Sequence, residues 1–301
     1  MSSSPTVCSW IMMGEPTLTP RGGYGAATTP HEFLAVTDQI VELHALGARI
    51  RVDLRGAAPV LVEEFHRVWR RCLAPSSGAQ VLGELDAGTV SLAGEVAHVA
   101  PEASRDVAAG ALTRSTQRIT GALITAQAGR LLMLHAGALC HPDTGASFVY
   151  VAPGGTGKTT LSRALGREFA YLTDETVGIT EDRRILPYPK PLTLRRPSGG
   201  RAKVEHAPDD LGLLEPRADP WVAGVVLIRR DPSMVGVSVE PLDLADALLL
   251  LAPEASSLAR LERPLHRIAE LGQATEGFRL VRYAEAADLA ELVRDTVGAL
   301  P

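Results

Sequence analysis

At 301 residues, with 46% hydrophobic and 22% charged content, the chain can bury one large core or two small ones and has an ordinary globular make-up. A formal net charge of −5 gives no support to a nucleic-acid-binding or anionic-membrane surface, and the longest apolar run, Ala247 to Ala252, is far too short to cross a bilayer. Cys8, Cys72 and Cys140 are odd in number and lack a C-x-x-C, so they read as reduced thiols; with no basic-then-apolar leader at M-S-S-S-P-T-V-C-S-W, a soluble cytoplasmic protein is expected.

Residues 1 to about 30 are rich in Ser, Thr, Pro and Gly and read as a loose arm. Phe33, Val36, Ile40 and Leu43 recur at helical spacing with Gly47 as a stop, so a helix is expected there. Ile50, Val52 and Leu54 alternate with Arg49, Arg51 and Asp53 as in a half-buried strand. Leu61, Phe65, Val68, Trp69 and Cys72 mark one side of a second helix. Short strands are expected over Ala79–Leu85, Thr89–Ala93 and Val96–Val99, with Asp86-Ala87-Gly88 as a turn. Together these suggest a small mixed α/β module within residues 1–110, with His31, His44, His66 and His98 as surface or packing histidines.

From residue 111 the pattern changes. Thr113 to Gln127 reads as a helix with Ile119 and Leu123 inward, and L-L-M-L-H-A-G-A-L as an apolar strand carrying His135. H-P-D-T-G (141–145) turns the chain into a hairpin whose second arm, Phe148 to Val151, leads into A-P-G-G-T-G-K-T-T. Strand, glycine loop and helix in that order form the context of a phosphate-binding P-loop. Pro153, Gly154, Gly155, Thr156 and Gly157 would turn backbone N–H groups toward phosphate oxygens, aided by the N-terminus of the helix that starts at Lys158. Lys158 would reach the β- and γ-phosphates, Thr159 would offer its hydroxyl to Mg²⁺, and Thr160, next on the helix, is counted with the nucleotide-binding residues. Only the first position departs from G-x-x-x-x-G-K-[ST], with Ala152 in place of Gly. Lys158, Lys190 and Lys203 are the only lysines in an arginine-biased chain, so a lysine inside the loop suggests a need for a compact ammonium.

Asp174-Glu175 follows sixteen residues after Lys158, after an apolar strand around Leu172. Carboxylates placed there would face the phosphates, to hold Mg²⁺ or accept a hydroxyl proton. Tyr188 to Pro220, dense in Pro, Gly and charge, reads as a loop whose Lys190, Arg195, Arg196 and Arg201 suit a phosphate-facing lid or an acidic partner. A strand over Trp221 to Ile228, helices over Leu242–Leu251 and Leu261–Leu271, a strand over Phe278–Tyr283 and a helix over Ala286–Leu300 complete the chain.

On L-H-A-G before the hairpin, A-P-G-G-T-G-K-T-T, L-T-D-E-T-V-G-I and P-Y-P-K-P-L-T-L, residues 115 to 230 resemble the HPr kinase/phosphorylase superfamily, whose P-loop domain also resembles phosphoenolpyruvate carboxykinase. The resemblance implies an α/β fold: the small N-terminal module plus a P-loop kinase domain over residues 111–301. It implies transfer of phosphate from ATP, with Mg²⁺, to a serine or similar hydroxyl on a protein, peptide or small molecule. The family's histidine maps onto His135 and its two aspartates onto Asp174 and Glu175. Two departures set the chain apart from the bifunctional enzymes: Glu175 in place of the second aspartate argues against the reverse phosphorolysis reaction, and the lack of an R-G-x-G-type signature argues against HPr as the substrate. They point to an acceptor other than HPr, such as a peptide or metabolite encoded in the same biosynthetic gene cluster. Two other classes stay open: a nucleotide hydrolase or switch, although L-S-G-G-Q and N-K-x-D are absent, and a nucleotide-binding scaffold without transfer activity.

Overall fold

The computed structural model describes residues 39–73, 85–92, 101–195 and 203–298, and of residues 101–106 the backbone alone. The N-terminal arm, Cys8, His31, Phe33, Val36, His98, Arg196, Arg201 and the expected strands over 79–84 and 96–99 lie outside the described residues. Those described form one compact unit of mixed α/β structure. None of their helices is long and apolar enough to cross a membrane.

The chain opens with β1 (Ile40–Ala45) and β2 (Ala48–Asp53), an antiparallel pair. The helix expected around Ile40 and Leu43 is therefore a strand. Val41, Leu43 and Ala45 are buried while Glu42 and His44 are not, so the operative period is two. Leu46 and Gly47 (φ 52° and 66°) make the two-residue left-handed turn that closes the hairpin, which is where the glycine is needed. α1 (Pro59–Val68) follows, with its proline in the first turn, and a 3₁₀ turn over Arg70–Cys72 buries Cys72. β3 (Leu85–Ser91) pairs in parallel with β2 and runs straight through the expected Asp86-Ala87-Gly88 turn. Those three residues form a bulge instead, with Gly88 at φ 86° and its N–H bonded to Asp86 Oδ1. α2 (Pro101–Gln127) runs through position 110 without a break and packs on α1, β2 and β3.

Beyond α2 the expected apolar strand divides at His135. β4 (Leu132–Leu134) and β5 (Ala136–Cys140) belong to different sheets. β6 (Ala146–Val151), α3 (Lys158–Leu165), β7 (Ala170–Thr173), β8 (Val177–Ile179) and β9 (Ile185–Leu186) follow. The expected long loop after Tyr188 is in fact ordered where it is described. β10 (Leu192–Arg195) and β11 (Lys203–His206) pair antiparallel, pinned by buried Leu192 and Glu205. Then come β12 (Trp221–Arg230), β13 (Val237–Leu242), α4 (Leu244–Leu251), β14 (Ala255–Ser256), α5 (Pro264–Ala274), β15 (Phe278–Tyr283) and α6 (Ala290–Gly298). β13 was not expected. It is an edge strand, which is why it tolerates Pro241.

The central sheet runs β13-β15-β12-β6-β5-β7, with β15, β12 and β6 parallel at its centre. A second sheet, β14-β4-β8-β9, lies beside it. Alternate residues of β6 face opposite layers: Phe148 and Tyr150 pack with Leu161, Leu165, Val293 and Val297 of α3 and α6, whereas Val149 and Val151 pack with Ala247, Leu251 and Ile268 of α4 and α5. A third cluster joins β1, β2, α1 and α2 around Phe65 and Trp69, and Tyr188 inserts into it from the later half of the chain.

Tyr150 also fixes α3. Its hydroxyl bonds Ser162 Oγ at 2.6 Å, and its ring lies directly over Gly137 of β5, where no Cβ has room. Gly137→Ala is therefore expected to destabilise the protein by about 1–3 kcal/mol or more, because the ring must shift within a full core. Urea unfolding monitored by circular dichroism measures this, and an unchanged midpoint would contradict it.

Candidate phosphate-binding site

The glycine loop leaves the C-terminal end of β6 and enters α3. Gly155 and Gly157 hold φ of 81° and 110°, a conformation side-chain-bearing residues rarely adopt. Among the described residues, none of the N–H groups of Gly154, Gly155, Thr156 and Gly157 donates to a protein acceptor. Such a run of N–H groups at a helix N-terminus is an anion cradle. Thr156 closes the loop by donating from Oγ1 to the Pro153 carbonyl at 2.8 Å. Lys158 is buried and its Nζ donates to the carbonyls of Ala152 (2.5 Å) and Pro153 (3.3 Å). Burial lowers the pKa of that ammonium, and the fields of Glu254, Asp174 and Glu175 partly oppose the shift.

The loop opens into a cavity of about 1020 Å³. Gly154 to Thr160, His135, Asp174 and Glu175 all line it, although they come from three separate stretches of the chain. Pro153 is the exception: it is exposed, and its carbonyl accepts from Thr156 and Lys158. His135 occupies the break between β4 and β5, with its ring beside Gly154. Its Nδ1 donates to Glu254 Oε2 at 3.0 Å and its own N–H to the Glu254 carbonyl at 2.7 Å, so the ring is held from both ends. Nδ1 thus engaged leaves Nε2 for a ligand.

Asp174 and Glu175 follow the end of β7. Asp174 is buried, and its Oδ1 accepts from Tyr171 Oη (3.0 Å) and pairs with Lys190 Nζ (3.0 Å). The Glu175 side chain is 36% exposed, and its Oε2 lies 3.2 Å from the same Nζ. Lys190 was expected in an irregular loop, in a phosphate-facing lid or against an acidic partner. It is instead 2% exposed, flanked by Pro189 and Pro191. Burial opposes its charge, but Asp174, Glu175 and Glu205 outweigh that penalty and raise its pKa above the ordinary lysine value. Glu205 is also buried and accepts from Thr193 Oγ1. Burial raises its pKa, and Lys190 counteracts part of that rise. All three lysines of the chain line this one cavity.

Sequence reasoning missed Glu254, Glu205, Tyr171 and the true position of Lys190. Only Lys190 carried a usable signal, a lone lysine between prolines with Tyr188 and Leu192 as apolar neighbours. Among the described residues no group of three or more His, Cys, Asp or Glu side chains is arranged to bind a metal on its own. The donors do suit Mg²⁺ completed by phosphate oxygens. The Thr159 hydroxyl, Asp174 Oδ2 and Glu175 Oε1 are hard oxygens without a protein partner among the described residues. Compared with known proteins, the chain matches no family model and no curated protein sequence.

Proposed function

We propose that this chain is an ATP- and Mg²⁺-dependent phosphotransferase of the HPr-kinase-like type, acting on a hydroxyl, serine above all, of a protein or peptide, or on the hydroxyl of a small molecule. The observation that carries this reading is the convergence of the glycine loop, Lys158, the acidic pair and an oriented histidine on one cavity. Phosphoryl transfer asks mainly for positioning and charge neutralisation, and these groups supply both. In this reading the loop N–H groups and Lys158 hold the nucleotide phosphates, and Thr159 with the acidic pair holds Mg²⁺, which neutralises charge on the transferring group. The acceptor oxygen bonds to the γ-phosphorus, the bond from that phosphorus to the bridging oxygen breaks, and ADP leaves. The hydroxyl proton passes to a carboxylate of the acidic pair, and His135 orients the acceptor through Nε2.

The experiment is incubation with ATP and Mg²⁺ and a panel of candidate peptides, proteins and small hydroxyl compounds, read by mass spectrometry for gain of one phosphoryl group. A transferase is expected to turn ATP over slowly without its acceptor, since the acidic pair and His135 are assigned in this reading to the acceptor hydroxyl and not to water. Rapid acceptor-free hydrolysis, measured as phosphate release, would replace this reading with that of a hydrolase. One observation favours a second reading, a nucleotide-binding protein without transfer activity: Lys190 already engages an oxygen of each carboxylate. Nucleotide binding with no product across the whole panel would favour it.

A further inference from the structure

Lys190 is paired with both carboxylates and hydrogen-bonded to a carbonyl. Nζ lies 3.0 Å from Asp174 Oδ1, 3.2 Å from Glu175 Oε2 and 2.9 Å from the Pro191 carbonyl. Its positive charge is thereby committed to the acidic pair rather than held open for a phosphate. Lys190 is also 2% exposed, buried where a residue of an open lid would face solvent. What surrounds it is an all-oxygen shell of two carboxylates and a carbonyl, the donor set of a hard divalent cation.

From this we infer that the Lys190 ammonium stands where a second divalent cation would otherwise sit between Asp174 and Glu175, so that the cavity takes a single Mg²⁺, the one that accompanies the nucleotide. The inference builds on the proposed phosphotransferase for the nucleotide-bound state only. Charge supports it. Asp174 and Glu175 bring two carboxylates to this wall and Lys190 returns one positive charge, which leaves an excess of negative charge for the nucleotide's own divalent cation to offset. Lys158, the other lysine in their field, is turned onto the loop carbonyls. Lys190 is in these terms a positioning residue. It holds one oxygen of each carboxylate and leaves the other for the metal and the acceptor.

The test counts bound Mn²⁺ by electron paramagnetic resonance on the full chain, with and without a non-hydrolysable ATP analogue, for the wild type, Lys190→Met and Lys190→Gln. The wild type is expected to hold no tight Mn²⁺ alone and one with the analogue. Either variant is expected to gain one Mn²⁺ without nucleotide, bound at least about tenfold tighter than by the wild type, because two close carboxylates are then unopposed. Should a variant fold poorly, Mn²⁺ is expected to restore its circular dichroism and cooperative urea transition. Variants that lose stability while Mn²⁺ binding stays as in the wild type, or that stay unfolded whatever the Mn²⁺ concentration, would overturn the inference. So would a wild type with a tight metal of its own. A wild type that takes no Mn²⁺ with the analogue counts against the phosphotransferase reading, while the nucleotide-free comparison still decides the role of Lys190.

Discussion

Lys158→Ala is expected to lower phosphoryl transfer by at least about a hundredfold, the scale of removing one preorganised electrostatic donor from a transition state. Its ammonium is the charge nearest the glycine loop, and nothing else described in the loop can replace it: Arg163 lies more than a helical turn further along α3. The ammonium also bonds the Ala152 and Pro153 carbonyls, so part of the loss would come from a looser loop. Lys158→Arg separates the two contributions. A planar guanidinium keeps the charge but does not fit a pocket shaped for a compact donor, so it is expected to recover nucleotide binding better than transfer. Rates with labelled ATP, nucleotide affinity by calorimetry and circular dichroism of each variant make the check. Transfer near the wild-type rate in Lys158→Ala would remove the main support for the phosphotransferase.

Asp174→Asn is expected to cost about 10² to 10⁴ in rate, or roughly 3 to 5 kcal/mol of transition-state stabilisation, and Glu175→Gln distinctly less. The difference follows from how each carboxylate is held. Asp174 is buried between Tyr171 and Lys190, so its geometry is set before any substrate arrives. Glu175 is more exposed and is tethered through one oxygen, with a longer stem. Measuring kcat, KM for ATP and Mg²⁺ dependence for both variants decides their roles. A normal kcat in Asp174→Asn with a large loss in Glu175→Gln would reverse the assignment. No effect in either would leave the acidic pair a buried charge cluster without a catalytic part.

What the sequence made legible at this site was what lies close along the chain. Strand β6, the glycine loop and α3 are contiguous, and Asp174 follows after one helix and one return strand, so composition and spacing sufficed. The partners that give these residues their electrostatics are remote. Glu254, which orients His135, comes 119 positions later, and no local pattern marks it. Lys190 was read by its neighbours in sequence, prolines and arginines, and so was grouped with Arg195, Arg196 and Arg201 in a lid-like loop. Two carboxylates sharing one buried ammonium are a tertiary fact. The strand at Ile40 was misread for a different reason: apolar residues at 40 and 43 have helical spacing, but Ile40 is exposed and the buried set is Val41, Leu43 and Ala45, the face that pairing with β2 fixes.

Tyr188 lies two residues before Lys190. Its side chain is fully buried against Trp69, 6.4 Å between ring centres, and its hydroxyl bonds Thr120 Oγ1 at 2.7 Å. The residue that sets the charge of the acidic pair is thereby anchored in a core built largely by the first half of the chain. The two halves are not interchangeable parts. A lineage that exchanged residues 39–73 for another module would also have to rebuild the foundation under its own carboxylates, so these stretches are expected to be inherited together.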